Sequence, residues 1–223
     1  MRKTWVLFFI VSALLYAVVI LCFWAHANYK KHFFDSYELT ELSKRNPECF
    51  GLLFMDSILR EPVAKGADNS WYLTHNFDGQ SDSGGCIFAD TACDENSKNL
   101  ILYGHNNENG TMFSELLRFR DPDFAAGHRD IQLTLKNGEL RTYRLAYVLS
   151  INTEDPYALV PYQKALPDGF WKDLSNESIY YRSNESDSSG FNSGISSDTL
   201  TLSTCDVSRY GAAGRLVLIA VRI

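Results

Sequence analysis

Acyl transfer through cysteine requires a thiolate, an acid/base partner within hydrogen-bond reach and a donor for the developing oxyanion. Asp198 to Cys205, DTLTLSTC, alternates with period two: Leu200, Leu202 and Thr204 take one face, and Thr199, Thr201, Ser203 and Cys205 the other. Cys205 therefore ends a strand on its hydroxyl-lined side, in polar surroundings where a substrate reaches a thiol; a core cysteine would take the leucine face. A loop, Asp206 to Gly214 (DVSRYGAAG), then leads to Arg215, which opens the apolar strand LVLIAVRI. If the two strands pair as a hairpin, Arg215 lands beside Cys205, where a guanidinium lowers a thiol pKa and donates hydrogen bonds to an oxyanion. The competing reading is a strand-end arginine snorkelling to solvent. Arg209, in the same loop, is a rival for the role, and Gly211, Ala212, Ala213 and Gly214 predict a loop of little rigidity.

The acid/base partner is less sharply marked. Among the five histidines, His26 and His32 lie in or near the apolar N-terminus, leaving His75 (YLTHNF), His105 (YGHNN) and His128 (AAGHRD). His105 follows the strand from Asn99 to Tyr103 through Gly104, and a strand end is where a sheet aims one side chain at another. Spacing alone leaves all three open. Asp206 and Ser203 neighbour the thiol as candidate substrate contacts, beside their plainer readings as a turn-forming Asp and a strand hydroxyl. Cys49, Cys86, Cys93 and Cys205 show no metal-ligand spacing, and no acidic run makes a calcium site, so neither metal nor cofactor is expected. Cys86 and Cys93 read as buried free thiols in preference to a disulfide.

The elements that must position these groups follow from the hydrophobic pattern. Strand-length apolar runs recur at residues 50–55, 86–89, 100–103, 131–135, 140–151, 200–205 and 216–223, separated by Gly, Asn and Asp clusters. Short helices are expected at 112–119 and 162–174, with a turn at 122–126, and the Ser/Asn/Gly-rich stretch 183–197 reads as a mobile surface loop. The sum is a mostly-β domain, barrel or sandwich. Ahead of it, Thr4 to Ala25 carries no charged side chain. At about 33 Å as a helix it spans a bilayer core of about 30 Å. It reads as an uncleaved signal anchor in preference to a signal peptide cut at Ala25-His26-Ala27. Residues 28–45 follow as an amphipathic helix stopped by Pro47. The predicted organisation is thus an anchor at 1–27, a helical extension at 28–48 and a catalytic β-domain at 49–223. Arg2, Lys3 and the α-amino group before the anchor, against Lys30 and Lys31 after it, favour a cytoplasmic N-terminus by a narrow margin. With 21 basic against 27 acidic residues the chain lacks the basic field of a nucleic-acid binder.

Thr201-Leu202-Ser203-Thr204-Cys205 resembles the T-L-x-T-C signature of sortases, with Arg215 a short distance downstream and His105 upstream in a similar Y-G-H-N setting. Residues 72–77 (YLTHNF), 110–113 (GTMF) and 121–131 (DPDFAAGHRDI) resemble segments of class B sortases. The resemblance implies an eight-stranded β-barrel with an N-terminal helical extension and a helix in the long connection before the last strands. It implies Cys205 as nucleophile, His105 as general acid/base and Arg215 as oxyanion and substrate-positioning residue, and it demotes His75 and His128. The implied reaction is transpeptidation at the cell surface. Cys205 attacks the carbonyl after the threonine of a C-terminal sorting motif, Asn-Pro-x-Thr-like or Leu-Pro-x-Thr-like, on a surface protein, and an amine of peptidoglycan or its precursor resolves the thioacyl-enzyme. Two rival classes are a membrane-tethered cell-wall cysteine hydrolase and a non-catalytic binding module in which Cys205 is an inert thiol.

Overall fold

The apolar runs become strands, and their pairing closes on itself. The computed structural model describes residues 14–22, 38–155, 159, 161–163, 178–181 and 198–223. The chain divides into two units, Met1–Glu41 and Leu42–Ile223. In the first, residues 14–22 are helical and exposed, and among the described residues no helix is long and apolar enough to cross a membrane. The rest of the predicted anchor, and residues 28–37 of the predicted extension, lie outside the described residues; 38–45 are helical.

The second unit holds β1 (Cys49–Met55), β2 (Leu59–Ala64), β3 (Ile87–Ala89), β4 (Asn99–Tyr103), β5 (Asp130–Leu135), β6 (Leu140–Asn152), β7 (Tyr180–Tyr181), β8 (Thr199–Cys205) and β9 (Gly214–Arg222). They form one sheet in the order β5-β1-β2-β3-β4-β8-β9-β6-β7, and a further β5–β6 pairing joins the first strand to the eighth. Eight strands therefore close into a barrel, as expected, and the two-residue β7 is an addition that pairs with β6 at Tyr147 and Val148, beyond the stretch of β6 that β5 covers.

The pattern did not announce β2, because Pro62 sits within it. The reason Pro62 is tolerated is local: β1 pairs along the whole of β2, but β3 meets only Val63 and Ala64, so no strand flanks Pro62 on that side. The helix expected at 112–119 is a 3-10 helix, Ser114–Arg120, and the predicted turn after it is an α-helix, Pro122–Gly127, with Pro122 in its first turn and the Asp121 side chain accepting from the Asp123 amide. The predicted helix at 162–174, beyond residue 163, and the predicted loop at 183–197 lie outside the described residues.

Side chains alternate along β8 and β9 between two buried layers. Leu200, Leu202, Leu216, Leu218 and Ala220 join the barrel interior with Leu53, Ile101, Leu133 and Leu145. Val217, Ile219 and Val221 instead join Ala146, Tyr147, Leu149 and Ile151 in a second cluster against which Tyr162 packs. Burial on both faces is why β9 reads as a continuous apolar run. Each such aliphatic side chain contributes about 1.5–3 kcal/mol relative to exposure, which makes this pair of strands a stiff support for whatever stands at its ends.

Candidate active site

Two pairings bring the distant residues together. β4 and β8 are parallel neighbours in register from Asn99↔Thr199 to Tyr103↔Ser203, so both chains leave the sheet at the same edge. Gly104 and His105 follow the one, and Thr204 and Cys205 finish the other. β8 and β9 are antiparallel, and their register ends on the pair Cys205↔Arg215. His105, Cys205 and Arg215 consequently line one cleft of about 310 Å³, shared with Asn69, Leu73, Tyr103, Tyr162 and Ser203. Its aromatic wall is built of Phe88 and Tyr103, ring centroids 5.4 Å apart, and Tyr103 and Tyr162, 6.1 Å apart.

Short bonds hold each chemical group in place. The Thr204 hydroxyl donates to the Gly104 carbonyl at 2.9 Å, and Asn106 Nδ2 donates to the Cys205 carbonyl at 3.2 Å, tying the histidine segment to the cysteine segment. Gly104 has no room for a side chain, since a Cβ there would lie 2.8 Å from the Phe113 ring. The Phe113 amide donates to the His105 carbonyl at 2.8 Å. At the ring, His105 Nε2 lies 2.8 Å from the Leu73 carbonyl oxygen. Arg215 Nη1 donates at 2.8 Å to both the Ala212 and Gly214 carbonyls, so the guanidinium is braced against its own loop, and among the described residues the rest of its donor fork has no hydrogen-bond partner.

The loop between Cys205 and Arg215 is more ordered than its Gly-Ala composition suggests. Val207–Tyr210 forms one helical turn and Gly211–Ala213 a 3-10 turn. Asp206 caps the first turn: its carboxylate accepts the Ser208 amide and hydroxyl and a two-pronged ion pair from Arg120. Burial alone would raise the Asp206 pKa, but the Ser208 and Arg120 hydrogen bonds outweigh it and hold the carboxyl below its ordinary value. The side chain is only 1% exposed and does not line the cleft. Asp206 is therefore placed as the brace of the loop. Ser203 does line the cleft, and its hydroxyl lies 2.9 Å from the Tyr162 hydroxyl.

The hydroxyl face of β8 is covered along Thr199 and Thr201, while Ser203 and Cys205 at its end line the cleft. Thr199 and Thr201 hydroxyls donate to Asn99 Oδ1, and Asn99 Nδ2 donates at 2.9 Å to the carbonyls of Pro161 and Gln163. Segment 161–163 thus roofs this face and leaves the thiol end half-buried. Burial raises the Tyr162 phenol, against its hydrogen bond with Ser203 and the nearby Arg215 charge, and burial likewise raises Tyr103, whose hydroxyl donates to Asp90 at 2.9 Å. Both residues line the cleft.

The rival residues stand elsewhere. His75 stacks on Trp71 at 3.6 Å between centroids, with Nδ1 donating to the Trp71 carbonyl. His128 stacks on Phe124 in the same fashion, 4.0 Å apart, and Arg209 lies over the Tyr210 ring. None of the three lines the cleft. All described cysteines are free; Cys49, Cys86 and Cys93 are buried, as the free-thiol reading of Cys86 and Cys93 expected, and burial pushes the Cys86 thiol up to about 12. Reasoning from sequence missed Asn69, Leu73, Tyr103 and Tyr162 as cleft residues. Nothing in a chain-order pattern marks a backbone carbonyl such as that of Leu73 as a histidine partner.

Comparisons with known proteins agree on one kind of molecule. A family model described as the sortase domain matches residues 57–223. Sortase B of Listeria monocytogenes is 28% identical over 187 residues, which cover 81% of this chain and 72% of that protein. Among solved structures, Clostridium perfringens sortase B superposes with a TM-score of 0.71 at 25% identity, covering 82% of this chain and 98% of that one. A Staphylococcus aureus sortase B–substrate complex, at 23% identity, shows the same fold with a TM-score of 0.69 over 85% of this chain and 86% of that one.

Proposed function

The chain belongs to the sortase family and is of its class B kind, a cysteine transpeptidase, and from that premise we propose that Cys205, His105 and Arg215 carry the reaction on a C-terminal sorting motif. The observation that supports this most is the convergence of the three on one cleft through the β4–β8 and β8–β9 pairings. The Cys205 thiolate attacks the carbonyl carbon of the motif threonine, the one joined to the amide nitrogen of the next residue. Arg215 stabilises the resulting oxyanion, and the C–N bond breaks as protonated His105 gives its proton to the leaving amine. An incoming amine then attacks the thioester; His105 takes its proton, the C–S bond breaks and the thiolate returns. The amine belongs to peptidoglycan or its precursor, and the motif is of the Asn-Pro-x-Thr or Leu-Pro-x-Thr type.

The uncharged stretch from Thr4 to Ala25 supports a single-pass anchor with the N-terminus in the cytoplasm and the catalytic domain at the cell surface. In this setting surface proteins and wall amines are both within reach. The test is turnover of fluorogenic Asn-Pro-x-Thr and Leu-Pro-x-Thr peptides by the full chain in detergent, with and without a glycine-based amine, beside Cys205→Ala. Amine-dependent ligation lost in Cys205→Ala supports the proposal. Hydrolysis without ligation at any amine concentration points to a hydrolase, and cleavage that survives Cys205→Ala removes the nucleophile assignment.

A further inference from the structure

The proton on one nitrogen of His105 is already committed. A carbonyl oxygen only accepts hydrogen bonds, so the 2.8 Å contact between His105 Nε2 and the Leu73 carbonyl requires Nε2 to carry hydrogen. The same edge of the ring is walled in. Gly85 lies against Cδ2, where a Cβ would stand at 3.1 Å, and that Cβ would also stand 2.5 Å from the Tyr72 carbonyl. Gly85 adopts φ +62, a conformation natural to glycine. The Cys86 amide donates to the Tyr72 carbonyl at 3.0 Å and the Leu73 amide to the Ser70 carbonyl at 3.1 Å, so the Leu73 carbonyl belongs to a braced strap formed by the 3-10 turn Trp71–Leu73 and residues 85–86. From its other end His105 is held by the Phe113 amide on its carbonyl.

From this we infer that the strap fixes the tautomer of His105: Nε2 keeps its proton throughout turnover, and Nδ1 alone exchanges protons with the reacting groups. The inference rests on the proposed function and assigns its proton transfers to one atom. In the first half-reaction the imidazolium loses the Nδ1 proton to the leaving amine and becomes the Nε2–H neutral form. In the second, Nδ1 takes the proton from the attacking amine and the imidazolium is restored. The Leu73 carbonyl occupies the orienting position that a carboxylate holds in a Ser-His-Asp arrangement. A neutral acceptor orients the ring without adding a negative charge to it.

The experiment combines spectroscopy and side-chain chemistry on the full chain in detergent. With ¹⁵N-labelled histidine, and His105 signals identified by their loss in His105→Gln, the expected result is a slowly exchanging Nε2–H proton visible on both sides of the titration, with the large shift change at Nδ1 and only a small one at Nε2. An Nδ1–H neutral form, or an Nε2–H exchanging as fast as that of a solvated histidine, overturns the inference. Replacing His105 by its Nδ1-methyl analogue is expected to lower peptide cleavage at least 100-fold, to the level of His105→Gln. Cleavage retained by the Nδ1-methyl analogue while His105→Gln is inactive also overturns it. Cleavage retained by His105→Gln instead removes the catalytic role of His105, and with it the proposed function on which the inference stands.

Discussion

Cys205 and Arg215 are cross-strand partners: the β8–β9 ladder begins at Thr199↔Val221 and finishes on this pair. Their proximity is thus a property of the register and not of the loop between them. The loop instead decides the direction of the guanidinium, because Nη1 is spent on the Ala212 and Gly214 carbonyls.

Arg215→Lys keeps the charge but cannot brace two carbonyls while presenting a planar fork. We expect kcat/KM for motif peptides to fall roughly 100- to 1,000-fold, the scale of losing one oxyanion donor, with most of the loss in kcat. Steady-state kinetics on the full chain check this; a change confined to KM would place Arg215 in ground-state binding.

Arg120 and Asp206 join the 3-10 helix after β4 to the loop after β8. Asp206→Asn should lower stability by about 2 kcal/mol, the range for hydrogen bonds to a charged group. Arg120→Met should cost a similar amount, and the double variant less than their sum, because one interaction is being removed twice. Urea unfolding of the four proteins measures the coupling. Additive losses would mean that the pair does not act as a unit.

Gly214→Ala places a Cβ well inside contact distance of the Asp206 backbone carbonyl, a rigid atom that cannot swing away. The Asp206 amide to Gly214 carbonyl bond, 3.0 Å, should break with it. The expected outcome is turnover lowered at least tenfold with the barrel intact by circular dichroism. Gly211→Ala, where nothing lies within 4 Å of a Cβ but φ is +58, is the milder comparison, expected to cost about 1 kcal/mol through backbone strain alone.

Acid should unfold the protein through specific carboxyls. Asp206 is held low by Ser208 and Arg120 against its burial, and Asp198 by Lys98 and Arg222 against its burial. Because their folded pKa values lie below the unfolded value of about 3.9, their stabilisation is fully present above about pH 4. It is lost as pH falls through the depressed folded values. The midpoint of urea unfolding should therefore be level from pH 7 to 5 and drop below pH 4, with a shallower drop in Asp206→Asn.

Thiol labelling should single out the nucleophile. In a Cys22→Ser background, iodoacetamide at neutral pH is expected to modify Cys205 first, since Cys49, Cys86 and Cys93 are buried and burial raises the Cys86 thiol to about 12. Mass spectrometry of the native protein should find one fast label, absent in Cys205→Ala. Equal labelling of Cys86 would show that the barrel opens on the timescale of the reaction.

Local pattern was sufficient for what local physics controls. Alternation placed Leu200 and Leu202 on one face and Cys205 on the other, and the short loop to Arg215 made a hairpin one of two readings, with the Cys205↔Arg215 register settled only by the fold. Strand-length apolar runs indicated a β-rich domain, while Pro62 hid β2 because its tolerance depends on which neighbour is absent. Spacing could not choose His105 over His75 or His128. That choice depends on the β4–β8 pairing, a parallel contact across 100 positions of sequence, and the likeness to sortases had to stand in for it. Nor did the pattern show that Asn99, Tyr162 and segment 161–163 cover the hydroxyl face of β8, or that Asp206 is consumed by Arg120. Hydrophobic period and turn chemistry are carried by neighbouring residues and persist in any fold built from them. Which buried donor meets which acceptor is decided only when distant strands register, and the Leu73 carbonyl, common to every residue as a backbone group, acquires its place beside His105 at that stage alone.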